Sequence, residues 1–196
     1  MVPPLLAPSG DLDPRLVVVV KNAFRTGERI CLRALEVEDG EALRAWLNDP
    51  ENHQHLALYR PLSAAAEREW LEGLHKRESD HIFGIASRET GALLGSCGLH
   101  HVTFPHRSAE LGIQIGEPGK GYGSEALRLL LAYGFETLGL HRIELRVYES
   151  NPRAIRCYER AGFRREGEKR EARWWAGRWW SVFEYAILEG ERLFPN

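Results

Sequence analysis

The chain has 196 residues, a formal net charge of −2 and an ordinary globular composition, so it is large enough to bury a sizeable core in one domain or a pair. A net charge this close to zero argues against a nucleic-acid partner. The cysteines (Cys31, Cys97 and Cys157) are odd in number, widely spaced and without a metal-ligand pattern, so we expect no metal site and a reducing, cytoplasmic location.

The first 26 residues are predicted to be an N-terminal extension, ahead of a single domain at 27–196. The extension is Pro-rich at first and then carries the apolar run 17–20, which is four valines. This run is far too short to span a bilayer, and no basic region precedes it as in a signal peptide. We therefore expect no membrane partner and an extension whose valines add an edge strand.

From residue 28 to residue 108 the pattern alternates between strands and helices. Periodicity and capping signals predict the following order: a strand at 28–33, helices at 38–48 and 64–76, a hairpin of strands at 81–87 and 92–101, and a loop at 102–108. The residues between the two helices, 52–59, are polar and irregular.

A glycine-rich stretch at 117–126 lies between a predicted strand, 109–115, and a predicted helix, 122–138. The strand alternates apolar and polar residues, and the helix carries one apolar stripe that begins at Leu127. A glycine turn from strand into helix leaves backbone N–H groups free at the positive end of the helix dipole, which suits a phosphate. A turn needed only for tight packing is the alternative, and the stretch fits neither a Walker A loop nor the dinucleotide fingerprint.

A second strand-to-helix unit follows the first. Residues 141–148 alternate as a strand, Asn151-Pro152 is a good helix start, and the helix 152–160 ends before Gly162. The last two predicted strands, 167–175 and 179–188, form a hairpin. In it Trp174-Trp175 faces Trp179-Trp180, either as cross-strand aromatic packing or as an aromatic lip beside a binding site.

These two units, with the matching text GKGYGSEAL, HRIELRVYESN, AIRCYERAGF and REG, resemble the GCN5-related N-acetyltransferase (GNAT) superfamily. The resemblance covers about residues 28–188. Within the superfamily, the sequence resembles most the RimJ/RimL-like branch, which acetylates ribosomal-protein N-termini. It implies an α/β fold with a mixed, mostly antiparallel central sheet that is splayed at the cofactor strand and flanked by about four helices. It also implies acetyl-CoA as cosubstrate and an amine acceptor as the other partner, and it leaves a homodimer possible.

The resemblance also implies a cofactor site. The strand before the glycine loop would pair with the pantetheine arm, the loop would hold the pyrophosphate, and Asn151 would contact the cofactor. The cofactor-binding residues expected on this basis are Ile113, Gln114, Ile115, Gly119, Lys120, Gly121, Tyr122, Gly123, Ser124, Asn151 and Ala154. Pro118 stands where the family pattern has Gln or Arg, which removes a side-chain contact and an N–H from the loop.

Two catalytic residues follow from the same resemblance. Tyr158 matches the tyrosine placed near the thioester sulfur, with a core aromatic as the alternative. Cys157 beside it is not expected to act as a nucleophile, because transfer in this family is direct and no paired base accompanies it. Glu110 matches a glutamate that acts as a base through water, with a surface or cross-strand ion pair as the alternative.

Three further histidines, His100, His101 and His106, compete with Glu110 for the role of base. In a GNAT fold the two early helices would wall the acceptor site, so the segment between them would carry residues that face the acceptor, namely His53, His55, Tyr59 and Arg60.

The amine's basicity helps to choose among acceptors. An α-amine has a pKa of about 7.7–8.0 and a lysine amine about 10.4, so the neutral fraction at pH 7 differs by more than about a hundredfold. A site with only a water-linked glutamate suits an α-amine or another weakly basic amine better, which favours the protein N-terminus that the resemblance implies. The alternatives are a small-molecule acceptor (an antibiotic, polyamine or amino acid) and a non-catalytic acyl-CoA-binding protein.

Overall fold

The computed structural model describes residue 20 and residues 22–56 and 58–191. In this part of the chain eight strands form one sheet: β1 (Ala23–Thr26), β2 (Ile30–Arg33), β3 (His81–Ser87), β4 (Leu93–Thr103), β5 (Ser108–Ile115), β6 (Arg142–Tyr148), β7 (Arg164–Trp175) and β8 (Arg178–Leu188). Five α-helices accompany them over the same residues: α1 (Gly40–Asn48), α2 (Pro50–His53), α3 (Ala64–Glu72), α4 (Tyr122–Ala132) and α5 (Pro152–Ala161). No helix in the described ranges is long and apolar enough to cross a membrane.

The sheet has the order β1-β2-β3-β4-β5-β6-β8-β7. Neighbouring strands are antiparallel throughout, except for β5 and β6, which are parallel. The crossover between these two strands is α4, as a parallel pair requires. The predicted α/β fold with a mixed, mostly antiparallel sheet is confirmed.

The sheet begins earlier than the sequence indicated. β1 lies in the segment that we assigned to the extension, where it pairs with β2. Phe24 on β1 stacks on Phe83 of β3, with ring centroids 5.3 Å apart and planes within 6° of parallel, and this contact anchors the edge strand to the sheet. Of the four valines expected to form an edge strand, residues 17–19 lie outside the described part of the chain.

The core lies between the sheet and α4. The predicted apolar stripe of this helix is buried, with Leu127, Leu130 and Leu131 each at most 1% exposed. They pack in one cluster with residues of the central strands, such as Leu99 and Ile143. Burial of several leucines on one helix face, at about 1.5–3 kcal/mol each, fixes α4 on the sheet and therefore fixes the loop at its N-terminus.

The predicted helix 122–138 is regular only as far as Ala132. A π-helical turn, Tyr133–Thr137, follows. A side chain at Gly134 would meet Ile143 Cδ1 at 2.7 Å, so only glycine allows this turn to lie so close to β6. The wide turn also directs the Tyr133 hydroxyl to His81 Nδ1 at 2.7 Å.

One helix was missed in the sequence. The sequence predicted no helix between residues 48 and 64, but Pro50 begins the short helix α2. Asp49 is the N-cap of α2, and its carboxylate accepts a hydrogen bond from the Glu51 N–H at 2.8 Å. An Asp-Pro pair stops one helix and starts another equally well.

The C-terminal hairpin of β7 and β8 turns at Ala176 and Gly177, which both have positive φ (51° and 77°). This backbone matches the right-handed twist of a two-residue hairpin. Trp174 and Trp179 are register partners, with rings 5.2 Å apart in a T-shaped arrangement. Both rings are more than half exposed, so the pair is cross-strand packing on the outer surface.

Candidate active site

The sheet opens between β5 and β6. The two strands pair only through Ser108–Glu110 and Arg142–Glu144. Beyond that point β5 stays on β4 as far as Ile115, and β6 continues on β8 as far as Tyr148. The backbone of β5 from Leu111 onward therefore faces no described strand on this side and is available to a ligand. The opening between the two strands forms a cavity of about 810 Å³.

The residues predicted to bind the cofactor, together with Glu110 and Tyr158, all line this cavity. The predicted cofactor residues there are Ile113, Gln114, Ile115, Gly119, Lys120, Gly121, Tyr122, Gly123, Ser124, Asn151 and Ala154, and the predicted catalytic residues there are Glu110 and Tyr158. The fold thus brings two segments that are separate in the sequence to the two sides of one cleft.

The glycine loop has the backbone that the sequence suggested. Gly119 and Gly121 have φ of +97° and +81°, a region that other residues enter only at a cost. Gly121 is the N-cap residue of α4 and, lacking a side chain, makes no side-chain cap. The first amides of the helix therefore point into the cleft unblocked, as in an anion site. Lys120 Nζ is held by Glu117 Oε2 at 2.5 Å.

The turn between β1 and β2 clamps this loop, which the sequence did not reveal. Arg29 Nη1 donates to the Lys120 carbonyl at 3.0 Å, and the guanidinium lies 5.1 Å from the centre of the Tyr122 ring. Glu125 Oε1 accepts from the backbone N–H of Arg29 at 2.9 Å. These contacts, between residues more than ninety positions apart, hold the loop open to the cleft.

Asn151 and Gly162 set the position of α5. The Asn151 Oδ1 accepts the Ala154 N–H at 3.1 Å, Pro152 occupies the first turn, and Gly162 ends the helix at φ 103°. Cys157 Sγ lies 3.4 Å from Ser124 Oγ. This contact brings the middle of α5 beside the start of α4, so the two predicted motifs meet across the cleft.

Tyr158 lies on the inner face of α5 and is 8% exposed. Its ring packs edge-on against Phe163 with centroids 5.8 Å apart, and its hydroxyl makes no hydrogen bond to any described residue. Burial, with a smaller contribution from Cys157, raises the pKa of Tyr158 well above its usual value. The phenol therefore stays protonated and has a free donor on the cavity wall.

Glu110 is ion-paired. Arg146 donates from Nε and Nη2 to Glu110 Oε1 at 3.1 and 2.8 Å. The other oxygen, Oε2, lies 3.7 Å from His101 Nδ1. The cross-strand pair that we considered as an alternative thus exists, but it lies on the cavity wall and leaves one carboxylate oxygen for water. None of the three competing histidines, His100, His101 and His106, lines the cavity.

Another part of the cavity lining comes from the segment around α2, through Asn52, His55, Leu56 and Tyr59. His55 and Tyr59 line the cavity there, whereas His53 and Arg60 do not. His53 packs instead against Trp175, with ring centroids 5.5 Å apart. Burial, together with the charges of Arg153 and Arg173, lowers the pKa of His55, so its ring is neutral near pH 7.

Cations dominate the lining of the cavity as a whole. Of the described residues that line it, only Glu110 and Glu117 are acidic, and both are already paired. The basic lining residues, by contrast, are Lys120, Arg146, Arg153, Arg156, Arg160, Lys169 and Arg173. In residues 22–56 and 58–191 no group of three or more His, Cys, Asp or Glu side chains could hold a metal ion.

Sequence reasoning missed Arg146, Arg153 and Arg173: Arg146 lies within the matching text HRIELRVYESN but alternates as an ordinary polar strand residue, and Arg153 and Arg173 lie in no recognisable motif. Arg173 left one faint signal: it stands beside Trp174-Trp175 in a strand whose other residues are mostly polar, where a buried cation needs an unusual environment.

Comparisons with known proteins agree with this geometry. The model of the acetyltransferase (GNAT) domain family matches residues 29–164. The N-acetyltransferase p20 of Bacillus licheniformis is 31% identical over 169 residues, covering 84% of this chain and 95% of that protein. YdaF of Bacillus subtilis, named provisionally as a ribosomal N-acetyltransferase, is 30% identical over 176 residues, covering 85% and 95%. The crystal structure of spermidine N-acetyltransferase from Vibrio cholerae with CoA and spermine superimposes with a TM-score of 0.78, at 29% identity, covering 86% of this chain and 100% of that one.

Proposed function

The chain belongs to the GNAT acetyltransferase family, and from that premise we propose that it transfers the acetyl group of acetyl-CoA to an α-amine, such as a protein N-terminus. It is an acetyl-CoA-dependent N-acetyltransferase, as its relatives are named. Which amine it acetylates is the open part of the proposal, and the charge of the cleft supports an α-amine.

The cleft fits acetyl-CoA. The free amides at the start of α4 suit the pyrophosphate, and the exposed arginines Arg156 and Arg160 on α5 add positive charge to the same wall, where Pro118 supplies none. The open edge of β5 suits the amide groups of pantetheine. Gln114 Nε2, which is buried without a partner in the described structure, would gain one from such a group.

The distribution of carboxylates carries the acceptor proposal. A polyamine is a polycation, and a site that recognises it needs acidic groups with no cation of their own. Here Glu110 is held by Arg146, and the next lining cations are Arg153 and Arg173. An acceptor that carries several positive charges would meet like charges, whereas an α-amine brings a single ionisable nitrogen.

The residues that line the cavity would each take one part in the reaction. Water on the free oxygen of Glu110 would take a proton from the ammonium group, and the neutral amine would attack the thioester carbon. The N–C bond forms, a second proton leaves the attacking nitrogen through the same water to solvent, the C–S bond breaks, and the departing thiolate takes the Tyr158 proton, which the phenol then regains from solvent. Free N–H groups on β5 would stabilise the developing oxyanion.

The basicity of the amine agrees with a weak base of this kind. At neutral pH an α-amine, with pKa about 7.7–8.0, already contains a substantial neutral fraction, and a primary aliphatic amine near 10.4 does not. One oxygen of Glu110 is paired with the Arg146 guanidinium. This carboxylate therefore suits an α-amine, which loses its proton more readily than a primary aliphatic amine.

Thiol release from acetyl-CoA, measured with a panel of N-terminal peptides and with spermidine, tests the proposal. We expect turnover with α-amine peptides at kcat/KM at least about tenfold above that for spermidine. Spermidine acetylation is the competing function, which the similarity to the Vibrio cholerae enzyme favours. A preference for spermidine would reject the α-amine proposal.

A further inference from the structure

Arg173 is the one large charged side chain among the fully buried side chains of the described residues. It is 2% exposed and lines the cavity from β7. Its Nη1 donates to the Gln54 carbonyl at 2.5 Å and its Nη2 to the Leu56 carbonyl at 3.3 Å. The Nε–H is buried and has no partner in the described structure.

The charge of this guanidinium is not neutralised by the described protein. Its centre lies 3.7 Å from the Tyr148 ring and 5.0 Å from the Trp175 ring, so aromatic faces stand where a carboxylate would be expected. No described acidic residue forms an ion pair with it. A buried ion without a counterion is costly, and a guanidinium with a free Nε–H retains an edge that matches a carboxylate with two parallel hydrogen bonds.

A second cation reinforces the same place. Arg153, at the start of α5, is exposed and lines the cavity, and no described carboxylate pairs with it. Arg153 and Arg173 both act on His55, so the three groups lie close together at the acceptor end of the cleft. The neutral His55, with a buried Nδ1 that has no partner, adds polarity without adding negative charge.

From these contacts we infer that Arg173, assisted by Arg153, binds a carboxylate of the acceptor, so that the substrate is an α-amine with an anionic group nearby. The inference rests on the proposed function and narrows it. The carboxylate comes either from the side chain of an acidic residue near a peptide N-terminus or from the α-carboxyl group of a free amino acid.

The spacing of the two sites fits one acceptor. Arg146, which holds Glu110, and Tyr148, which holds Arg173, are two residues apart on the same face of β6. Two residues of a strand span about 7 Å. An amine at the water on Glu110 and a carboxylate at Arg173 would therefore be several bonds apart, which favours an acidic side chain over an α-carboxyl group.

The test uses matched acceptors with acetyl-CoA and the full chain. One pair is a peptide amide that begins Ser-Glu and its counterpart that begins Ser-Gln; the other is leucine and leucinamide. For the parent protein we expect kcat/KM about 10- to 100-fold higher for the glutamate peptide than for the glutamine peptide, as hydrogen bonds to a charged group typically provide. A high ratio for leucine over leucinamide would assign the α-carboxyl group instead.

Arg173→Lys keeps the charge but loses the planar guanidinium that can donate two parallel hydrogen bonds. We expect it to reduce the kcat/KM ratio of the glutamate peptide to the glutamine peptide to about threefold or less. Arg178→Lys is the matched control: Arg178 also stacks on a tryptophan of the hairpin, 3.4 Å from the centre of the Trp180 ring, but lies outside the cavity. It should keep the parent ratio. Every protein is assayed with the same acceptors. The difference in amine pKa between the two acceptors of a pair therefore cancels when their kcat/KM ratio is compared between proteins.

A parent ratio below about threefold for both pairs would overturn the inference and leave the α-amine proposal standing. A folded Arg173→Lys protein with the parent ratio would remove Arg173 from the role. Turnover with spermidine and with no α-amine would instead reject the proposed function itself. The parent ratio needs no substitution, so the test holds even if Arg173→Lys is destabilised.

Discussion

The two ends of the cleft are built differently. The cofactor end comes from two continuous segments, 109–126 and 142–163, in which a strand, a glycine or asparagine turn and a helix follow one another. The acceptor end is assembled from residues far apart in the chain: His55 and Tyr59 from the segment after α2, Arg146 from β6 and Arg173 from β7. The first can be recognised in the sequence, and the second exists only after folding.

This difference extends to the chemistry. At the cofactor end the chain's own residues hold the loop, through Arg29, Glu125 and the cap at Asn151. At the acceptor end, His55 Nδ1 and Arg173 Nε are buried without partners in the described structure. Buried polar groups are normally satisfied, so orphaned ones on a cavity wall indicate where a ligand completes the site. The chain's own residues thus hold the glycine loop in place, whereas the acceptor end, like Gln114 Nε2 on β5, contains buried polar groups that only a ligand would pair.

The largest effect is expected at the meeting point of the two ends, at Tyr158. Tyr158→Phe keeps the ring and its contact with Phe163 but removes the proton donor, so kcat should fall by about 10²- to 10⁴-fold with little change in the acetyl-CoA KM. Because burial raises the Tyr158 pKa, the parent kcat should show no alkaline loss from this group below about pH 10. Steady-state kinetics across pH, with circular dichroism to confirm the fold, provide the measurement.

A kcat for Tyr158→Phe within about twofold of the parent would mean that water protonates the thiolate and that the tyrosine only packs. Tyr133→Phe is the matched control, since Tyr133 is also a buried tyrosine but lies outside the cavity. We expect that variant to keep the parent kcat.

The next effect tests whether the cofactor end is preformed for a phosphate. Gly121→Asp places a side chain on a residue with φ +81° and a negative charge at the start of α4, so acetyl-CoA should bind about 100-fold more weakly. Calorimetry gives the affinity. Gly139→Asp is the control: its φ is +62° with open space around it, and it lies away from the cavity. Equal affinities in the parent and a folded Gly121→Asp protein would refute the phosphate site.

Much of the fold and the cofactor end could be predicted because short-range rules govern them. The strand 81–87, the glycine turn and the Asn151 cap all depend on neighbours within a few residues, and the structure places them as the sequence indicated. What could not be predicted depends on distant partners. The clamp of Arg29 on Lys120 leaves no local pattern, and the burial of Arg173 between Tyr148 and Trp175 leaves only the faint signal of its tryptophan neighbours.

Glu110 lies at the boundary of the two ends, and its effect should be intermediate. Glu110→Gln removes the water-linked base, so turnover with an α-amine acceptor should fall about tenfold at pH 7 and recover in part above pH 8, where the amine is already neutral. A pH–rate profile measures this. Glu144→Gln, which also breaks an arginine pair (with Arg142, 3.0 Å) but lies outside the cavity, should leave the profile unchanged. An unaltered profile for Glu110→Gln would transfer the role of base to a histidine.

The smallest effect is expected on the outer surface of the β7–β8 hairpin, which lies outside the acceptor end of the cleft. Trp179 packs on Trp174 outside the cavity, so Trp179→Ala should lower the free energy of unfolding by about 1 kcal/mol and leave the acceptor KM unchanged. Trp175 provides the comparison, because its ring lies 5.0 Å from the Arg173 guanidinium. Trp175→Ala should raise the acceptor KM because it removes the ring that packs against this guanidinium. Urea unfolding and acceptor kinetics on both variants provide the measurements. If Trp179→Ala raised the acceptor KM more than about threefold, the outer tryptophans would belong to the binding site after all, and the acceptor end would reach farther along the hairpin than its buried arginine indicates.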